Sequence, residues 1–216
     1  MSIVKRITRD LRPYMESYGY ISIKNGFYRS QNSIAYFIEF EKPSSIVYLR
    51  YYVVPLYIPC NSKYYSYGSR LRQHGALMSI CADASSAAVD NWSEDTRSCL
   101  ESIVFPFFNS IGSPEQLIAF LENCDTTIKE HFACTDVQLL KLRVYTLFYC
   151  GEIEQGICIF HRDRILFDNC TYLTERVQKK NIAEMESLVL LAKTNVEELA
   201  LLFKNTIAGM QRIVFK

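Results

Sequence analysis

The spacing of apolar residues changes along the chain, and this change limits the folds that the sequence can adopt. Between Tyr20 and Ile58 the chain has runs of aromatic and β-branched residues, and twelve of its fifteen tyrosines precede residue 68. Such runs are typical of β-strands. From Ser93 onward apolar residues recur at helical spacing. The sequence therefore predicts an α+β protein with an aromatic-rich antiparallel sheet followed by a helical C-terminal half.

The first half contains the signals of a helix and of a β-meander. Apolar residues at helical spacing predict a helix over residues 2–18. Asn25-Gly26 between two β-prone runs predicts a two-residue type I′ hairpin turn. The short connections indicate that successive strands are antiparallel and that the sheet has about four to five of them. The predicted strands lie at residues 20–23, 27–28, 33–41, 46–58 and 76–82.

Capping residues mark the starts of helices in the second half. Ser93 precedes Glu94 and Asp95, which suit the first turn of a helix. Ser113 precedes a proline at the first helical position, and Thr135 precedes an apolar face. Gly151 predicts a break between two helices. The last two helices are predicted over residues 173–193 and 195–210.

Charge divides the chain as well. Residues 1–75 contain eleven Lys or Arg and four Asp or Glu, a net +7, and the remaining thirteen and nineteen give residues 76–216 a net −6. Either the two halves face each other, or the basic half binds an anion. We expect an α+β domain over residues 1–125 and a helical extension over 126–216, which could equally belong to the same domain.

Cysteine usage and hydropathy predict a cytoplasmic protein. There are eight cysteines, but no Cys-x-x-Cys motif that would favour a zinc site. The N-terminus lacks the apolar stretch of a signal peptide, and no apolar run reaches the about 18 residues of a membrane span. The glycines are scattered, which disfavours a phosphate-binding loop. We therefore predict no metal, no cofactor and no membrane association.

The order of motifs in the first half also supports a family resemblance. After the N-terminal helix these motifs lie at residues 19–20, 25–29, 34–40, 51–54, Trp92, 103–108 and 113–117. In that order they resemble a bacterial family catalogued as domain of unknown function 4304, over about the first 125 residues. The family has no established activity, so the resemblance implies a fold and no catalytic residues.

A second, shorter resemblance lies in the helical half. Residues 149–160, with Gly151 and Gly156, are similar to the turn of a tetratricopeptide helical hairpin, in which small residues let two helices pack closely. A repeat would recur about 34 residues later. The nearest similar segment, residues 193–203, lies further away and lacks glycine. We therefore interpret this segment as one helical hairpin rather than as a repeat.

A basic and tyrosine-rich segment, residues 61–75, is predicted to be a loop and is the candidate binding site. Tyrosine and arginine are enriched at protein interfaces, and basic residues mixed with aromatics also bind single-stranded nucleic acid. A third interpretation is that the tyrosines cover the sheet while the arginines pair with acidic helices. The candidate residues are Tyr64, Tyr65, Tyr67, Arg70, Arg72 and His74.

Three functions remain open from the sequence. The first is a non-enzymatic protein-interaction module that binds a protein partner or a second copy of itself, and an immunity-type role is one form of it. The second is a nucleic-acid-binding protein that uses the basic half. The third is a hydrolase, which would need a cysteine or carboxylate beside His74, His131 or His161. No catalytic motif surrounds these histidines, so we favour a function without catalysis.

Overall fold

The computed structural model describes residues 2–60, 67–123, 128, 130–171 and 174–215. It confirms the predicted order of an N-terminal helix, an antiparallel sheet and a helical second half. Helix α1 (Ile3–Ser17) begins at Ser2, whose side chain accepts a hydrogen bond from the Lys5 backbone N–H. Ile7, Leu11 and Met15 recur every four residues and are fully buried, so this face anchors α1 to the core.

The main sheet has the strand order β1-β2-β3-β4-β5, and all of these pairs are antiparallel. Strand β8 pairs with β4 beside β5, so β5 and β8 occupy successive parts of one edge of β4. Strands β6 and β7 form a separate hairpin. The strands are β1 (Ile21–Ile23), β2 (Gly26–Gln31), β3 (Ile34–Glu41), β4 (Ile46–Pro55), β5 (Tyr67–Arg70), β6 (Arg72–Gln73), β7 (Ala76–Leu77) and β8 (Ser79–Cys81).

The first hairpin turn differs from the prediction. Ile23 pairs with Gly26, so Lys24 and Asn25 form the turn, and neither has the positive φ of a type I′ turn. The prediction of a turn at Asn25-Gly26 is therefore wrong. Gly26 is the first residue of β2, where a Cβ would lie 2.1 Å from the carbonyl oxygen of Ile38 on β3. Glycine is needed here for the close approach of two strands, not for a turn.

Type I′ geometry occurs at two other hairpins. Asn32 and Ser33 have φ of +50° and +62° between the paired ends of β2 and β3. His74 and Gly75 have φ of +51° and +82° between β6 and β7. Both hairpins use a residue of the Asn or His type, which tolerates the left-handed region.

The predicted loop over residues 61–75 is wrong for its described part. Tyr67–Arg70 forms β5, and Arg72 begins β6. The segment has a polar, loop-like composition, but its backbone pairs with β4. A Cβ on Gly68 would lie 2.1 Å from the Tyr51 carbonyl oxygen, so glycine permits this pairing. The strand predicted over residues 76–82 is present as two shorter strands, β7 and β8.

The helical half follows most of the predicted boundaries. Thr135 caps its helix in a capping box with Gln138, and the Ser113 side chain accepts a hydrogen bond from the Gln116 N–H. The described helices are α2 (Ser86–Cys99), α3 (Phe105–Ser110), α4 (Pro114–Asn123), α5 (Asp136–Tyr149), α6 (Ile153–Asp163), α7 (Ile165–Asp168), α8 (Glu175–Thr194) and α9 (Val196–Val214), with a π-helical turn at Leu100–Val104.

The helix start predicted at Ser93 is wrong. Ser85 is the N-cap of α2 and accepts a hydrogen bond from the Ala88 N–H. Ser93 lies inside α2, where its hydroxyl donates to the Val89 carbonyl at 2.8 Å. The first turn of α2 has no acidic residue, whereas Glu94 and Asp95 follow Ser93, so the acidic residues indicate the wrong serine as the cap. The helix begins at Ser86, about two turns before Ser93.

The core continues from the sheet into the helical half. One buried cluster includes Ile7 of α1, Tyr36 of β3, Phe108 of α3 and Phe203 of α9. A smaller cluster lies on the opposite face of the sheet, where the end of α9 packs on β3 and β4. Both faces of the sheet therefore carry helices. Among the helices that the structure describes, none combines the length and apolar composition needed to cross a bilayer.

Candidate functional site

The structure describes four of the six candidate residues, and it does not bring these four together in one site. Tyr64 and Tyr65 lie outside the described residues. Tyr67 is 5% exposed, and its hydroxyl donates to the Gln138 carbonyl at 3.3 Å. Its ring lies 5.9 Å from that of Phe132. Tyr67 is thus a core residue that packs β5 on the helical half, and most of its surface is unavailable to a partner.

Arg72 and His74 belong to the β6–β7 hairpin. Arg72 Nη1 donates to the Gly75 carbonyl oxygen at 3.0 Å. His74 is exposed and occupies the first left-handed position of the turn. The turn conformation therefore accounts for the residue type at His74, and the Arg72 side chain forms a hydrogen bond within its own hairpin.

Arg70 lies on the sheet face opposite to Tyr67. It is directly opposite Arg50, which is in turn opposite Glu39, and opposed residues of antiparallel strands point to the same side. In the next row Glu41 is opposite Tyr48. We call the five residues Glu39, Glu41, Tyr48, Arg50 and Arg70 the arginine surface.

The Glu41 carboxylate holds the two arginines side by side. Arg50 Nη1 donates to Glu41 Oε1 at 2.8 Å, and Arg70 Nε donates to Glu41 Oε2 at 3.0 Å. Burial raises the pKa of Glu41, but the hydrogen bonds and positive charges of Arg50 and Arg70 outweigh burial and lower the pKa below its usual value. The carboxylate therefore remains charged and offsets the repulsion between the two guanidinium groups.

Tyrosine rings fix the other side of each guanidinium. The Arg70 guanidinium carbon lies 4.5 Å from the centre of the Tyr48 ring, and that of Arg50 lies 5.3 Å from the Tyr52 ring. These distances permit cation–π attraction. The Arg70 side chain is 42% exposed, so its position is determined while much of its surface faces solvent.

The C-terminal helix covers only part of this sheet face. Met210 and Val214 of α9 pack against the cluster that contains Phe37 and Tyr52. On this face of β4 the apolar side chains end at Tyr52. Arg50, two positions away on the same strand, is the first polar residue. The arginine surface is thus a polar, partly exposed continuation of an otherwise covered sheet face.

Glu41, Tyr48 and Arg50 were not among the candidate residues. Strand alternation places Glu41 on the same face as Glu39, and Tyr48 on the same face as Arg50, along two strands joined by a short connection. Opposite charges across antiparallel strands stabilise a pairing register. The sequence therefore contains the alternating charge pattern of this surface. Placing the charges beside each other requires the register of β3 and β4.

Two of the three histidines, His131 and His161, make contacts other than those that a hydrolase would need. His131 Nδ1 lies 2.9 Å from the Tyr51 hydroxyl, and its ring stacks on Phe107 at 4.1 Å. Burial lowers the pKa of His131, although the nearby Glu130 acts in the opposite direction. His161 Nε2 lies 3.5 Å from Lys193 Nζ. In the described ranges, the hydrogen bonds of these two histidines do not involve cysteine or carboxylate.

Two part-buried cysteines are also poorly suited to nucleophilic attack. Burial raises the pKa of Cys134 to about 11 and that of Cys150 to about 12. The thiol, not the nucleophilic thiolate, then predominates near neutral pH. Within the part of the chain that the structure describes, no three His, Cys, Asp or Glu side chains converge to hold a metal ion.

Comparison with known proteins identifies no relative: no protein-family model, curated protein or solved structure matches this chain. The resemblance of the first 125 residues to the bacterial domain of unknown function 4304 therefore stays a prediction.

Proposed function

We propose that the protein is a non-enzymatic interaction module that binds a protein partner through the arginine surface. The supporting observation is the state of Arg70. Its Nε is held by Glu41 and its guanidinium lies over Tyr48. Its two terminal nitrogens form no hydrogen bond with the described residues. A positioned arginine with free donors is suited to pair with a carboxylate on another protein.

Preorganisation is what makes this surface a favourable binding site. A flexible arginine loses side-chain entropy on binding, about 0.5–1.5 kcal/mol for a rotamer-rich side chain. Glu41 and Tyr48 restrict Arg70 before any partner arrives, so less entropy is lost on binding. Arginine and tyrosine are also the types that dominate interface energetics. An immunity-type protein, which neutralises a toxin by binding it, would be one form of this function.

Charge favours a protein partner over nucleic acid at this surface. The two arginines and two glutamates of the arginine surface sum to zero. Nucleic-acid affinity comes from several cations that neutralise phosphates. The two carboxylates of the arginine surface would repel the phosphates. Arg50 and Arg70 both pair with Glu41, so the excess positive charge of residues 1–75 is not concentrated at these two arginines.

Affinity capture from an extract of the source cells tests the proposal. The baits are the wild-type protein, Arg70→Glu, Arg70→Gln and Arg9→Glu. Arg9 is 60% exposed on α1 and pairs with a neighbouring aspartate, so it controls for the same change of charge elsewhere. Arg70→Gln removes the charge without repelling Glu41, and thermal melts of all four proteins verify folding.

We expect a protein that the wild type and Arg9→Glu retain and that both Arg70 variants lose. Identical proteins on all four baits would contradict the proposal. A labelled single-stranded oligonucleotide at low salt serves as the second arm. Binding that depends on Arg70 and weakens steeply with added salt would favour nucleic acid instead.

A further inference from the structure

A cavity of about 610 Å³ lies between the end of β4 and helices α5, α8 and α9. Its volume falls within the about 300–1,000 Å³ of pockets that bind small molecules. The cavity is independent of the arginine surface, because none of the five residues of that surface lines it.

Three helices each contribute one face to the cavity. On α8 the lining residues Val177, Asn181, Glu184, Leu188 and Leu191 recur every three or four positions, which places them on one side of the helix. Gln138, Lys141 and Tyr145 do the same on α5. On α9 the adjacent residues Leu202 and Phe203 line the cavity together with Thr206, which lies one turn further along the helix. The cavity is thus a product of how the helices pack.

Apolar side chains form one part of the wall. Tyr57, Ile58 and Leu188 are buried beside the cavity. Val177 and Leu202 also line it and remain 42% and 41% exposed. Large apolar side chains that stay exposed around a concave site are a feature of ligand-binding grooves. This part of the wall is suited to the apolar body of a ligand.

Polar side chains converge on the part formed by α5 and α8. Lys141 Nζ lies 3.2 Å from Glu184 Oε1 and 3.5 Å from Asn181 Oδ1. The Tyr145 hydroxyl donates to the same Glu184 oxygen at 3.1 Å. Burial and the adjacent negative charge of Glu184 raise the pKa of Tyr145, so its hydroxyl keeps the proton that it donates. These contacts fix the positions of all four side chains.

The same cluster retains unused hydrogen-bond donors. An ammonium group has three N–H donors, and the two described contacts of Lys141 leave one. Asn181 accepts through Oδ1, which leaves its amide N–H groups without a partner among the described residues. Lys180 lines the cavity beside them. With two lysines and one glutamate, the described lining carries a net charge of +1.

We propose that this cavity binds an amphipathic carboxylate, an acid with a long apolar body. The apolar body lies along Val177, Leu191 and Leu202, whose side chains line the cavity and remain accessible. The carboxylate accepts hydrogen bonds from Lys180, Asn181 and the remaining donor of Lys141. The ligand's single negative charge then neutralises the +1 of the lining.

Fluorescence titration with cis-parinaric acid, a fluorescent long-chain carboxylate, tests the proposal on the whole chain. Its methyl ester has the same apolar body without the charge. We expect one saturable site per chain for the acid and about tenfold weaker binding of the ester, because a charge-assisted hydrogen bond is lost. Ser187→Trp places a large ring in the cavity from an exposed position of the lining, and it should abolish binding.

Two charge reversals on neighbouring helices provide the matched control. Lys180→Glu reverses a charge in the lining and should weaken binding of the acid at least about tenfold while leaving the ester unchanged. Lys204→Glu makes the same change at an exposed position of α9 that does not line the cavity, and should leave binding within about twofold. The proposal is overturned if the acid does not saturate one site, if acid and ester bind alike, or if both reversals weaken binding equally.

Discussion

Replacing Thr146 with valine should destabilise the protein more than replacing Tyr57 with phenylalanine, although both changes remove the same hydrogen bond. The Tyr57 and Thr146 side chains are fully buried, and their hydroxyl oxygens lie 3.0 Å apart. The Thr146 hydroxyl also lies 2.6 Å from the Leu142 carbonyl oxygen and donates to it. A threonine hydroxyl has one hydrogen, so Tyr57 must be the donor to Thr146.

Because Tyr57 donates this hydrogen bond and Thr146 accepts it, the two single variants should lose different amounts of unfolding free energy. In Tyr57→Phe the Thr146 hydroxyl keeps its bond to Leu142, so the loss is that of one ordinary hydrogen bond, about 1 kcal/mol. In Thr146→Val the Tyr57 hydroxyl is left as a buried donor without an acceptor, which costs about 1–3 kcal/mol. The double variant removes that orphaned donor. It should therefore be less destabilised than the sum of the two single variants.

Urea unfolding of the wild type and the three variants measures these free energies directly. Circular dichroism and tyrosine fluorescence should give coincident transitions. The reasoning is refuted if Thr146→Val costs no more than Tyr57→Phe. It is also refuted if the two costs add to within about 0.3 kcal/mol, because contacting residues would then be energetically independent.

Substitutions at four further positions test particular parts of the structure. Gly68→Ala should destabilise the protein by about 1–3 kcal/mol in urea unfolding, because its Cβ would lie 2.1 Å from the Tyr51 carbonyl oxygen. Gly209→Ala, which has open space around its Cβ in α9, should instead stabilise the protein by up to about 1 kcal/mol. Glu41 has a lowered pKa when folded, so it stabilises the fold above its unfolded pKa of about 4.3 and loses this contribution as the pH falls through the folded pKa. Glu41→Gln should thus cost up to about 1 kcal/mol at pH 7 and converge with the wild type in acid; a constant difference across an acid titration would contradict this sign. His74→Val should lower the melting temperature because φ is +51° there, whereas His74→Asn should not, and equal effects would show that the turn does not select the residue.

Local chemistry explains which parts of the fold could be predicted. The cap at Thr135 and the break at Gly151, whose φ is +84°, depend on neighbouring residues alone, and both predictions are confirmed. The signal at Gly26 also looked local, since Asn-Gly is a strong hairpin pattern. Its actual cause is the approach of Ile38 from another strand, which no short window contains.

The candidate site could be predicted only in part, because its contacts also come from distant parts of the chain. The sequence identified Arg70, but its partners Glu41 and Arg50 lie in strands whose register comes from long-range pairing. Strand alternation places Arg70 and Tyr67 on opposite faces of the sheet, whereas a loop over this segment would allow both side chains to face one partner. The Lys141 and Glu184 cluster depends on the packing of α5 against α8, so a helix prediction alone could not find it.

In the function that we propose, the positioned guanidinium of Arg70 binds a protein partner. The most direct measurement is isothermal titration of the captured partner with the wild type, Arg70→Lys and Arg70→Gln. Lysine keeps the charge but has neither the planar fork nor the stacking on Tyr48. We predict that Arg70→Lys and Arg70→Gln both weaken binding at least about tenfold, or about 1.4 kcal/mol. Binding of Arg70→Lys at wild-type strength would contradict the account, because charge alone would then suffice.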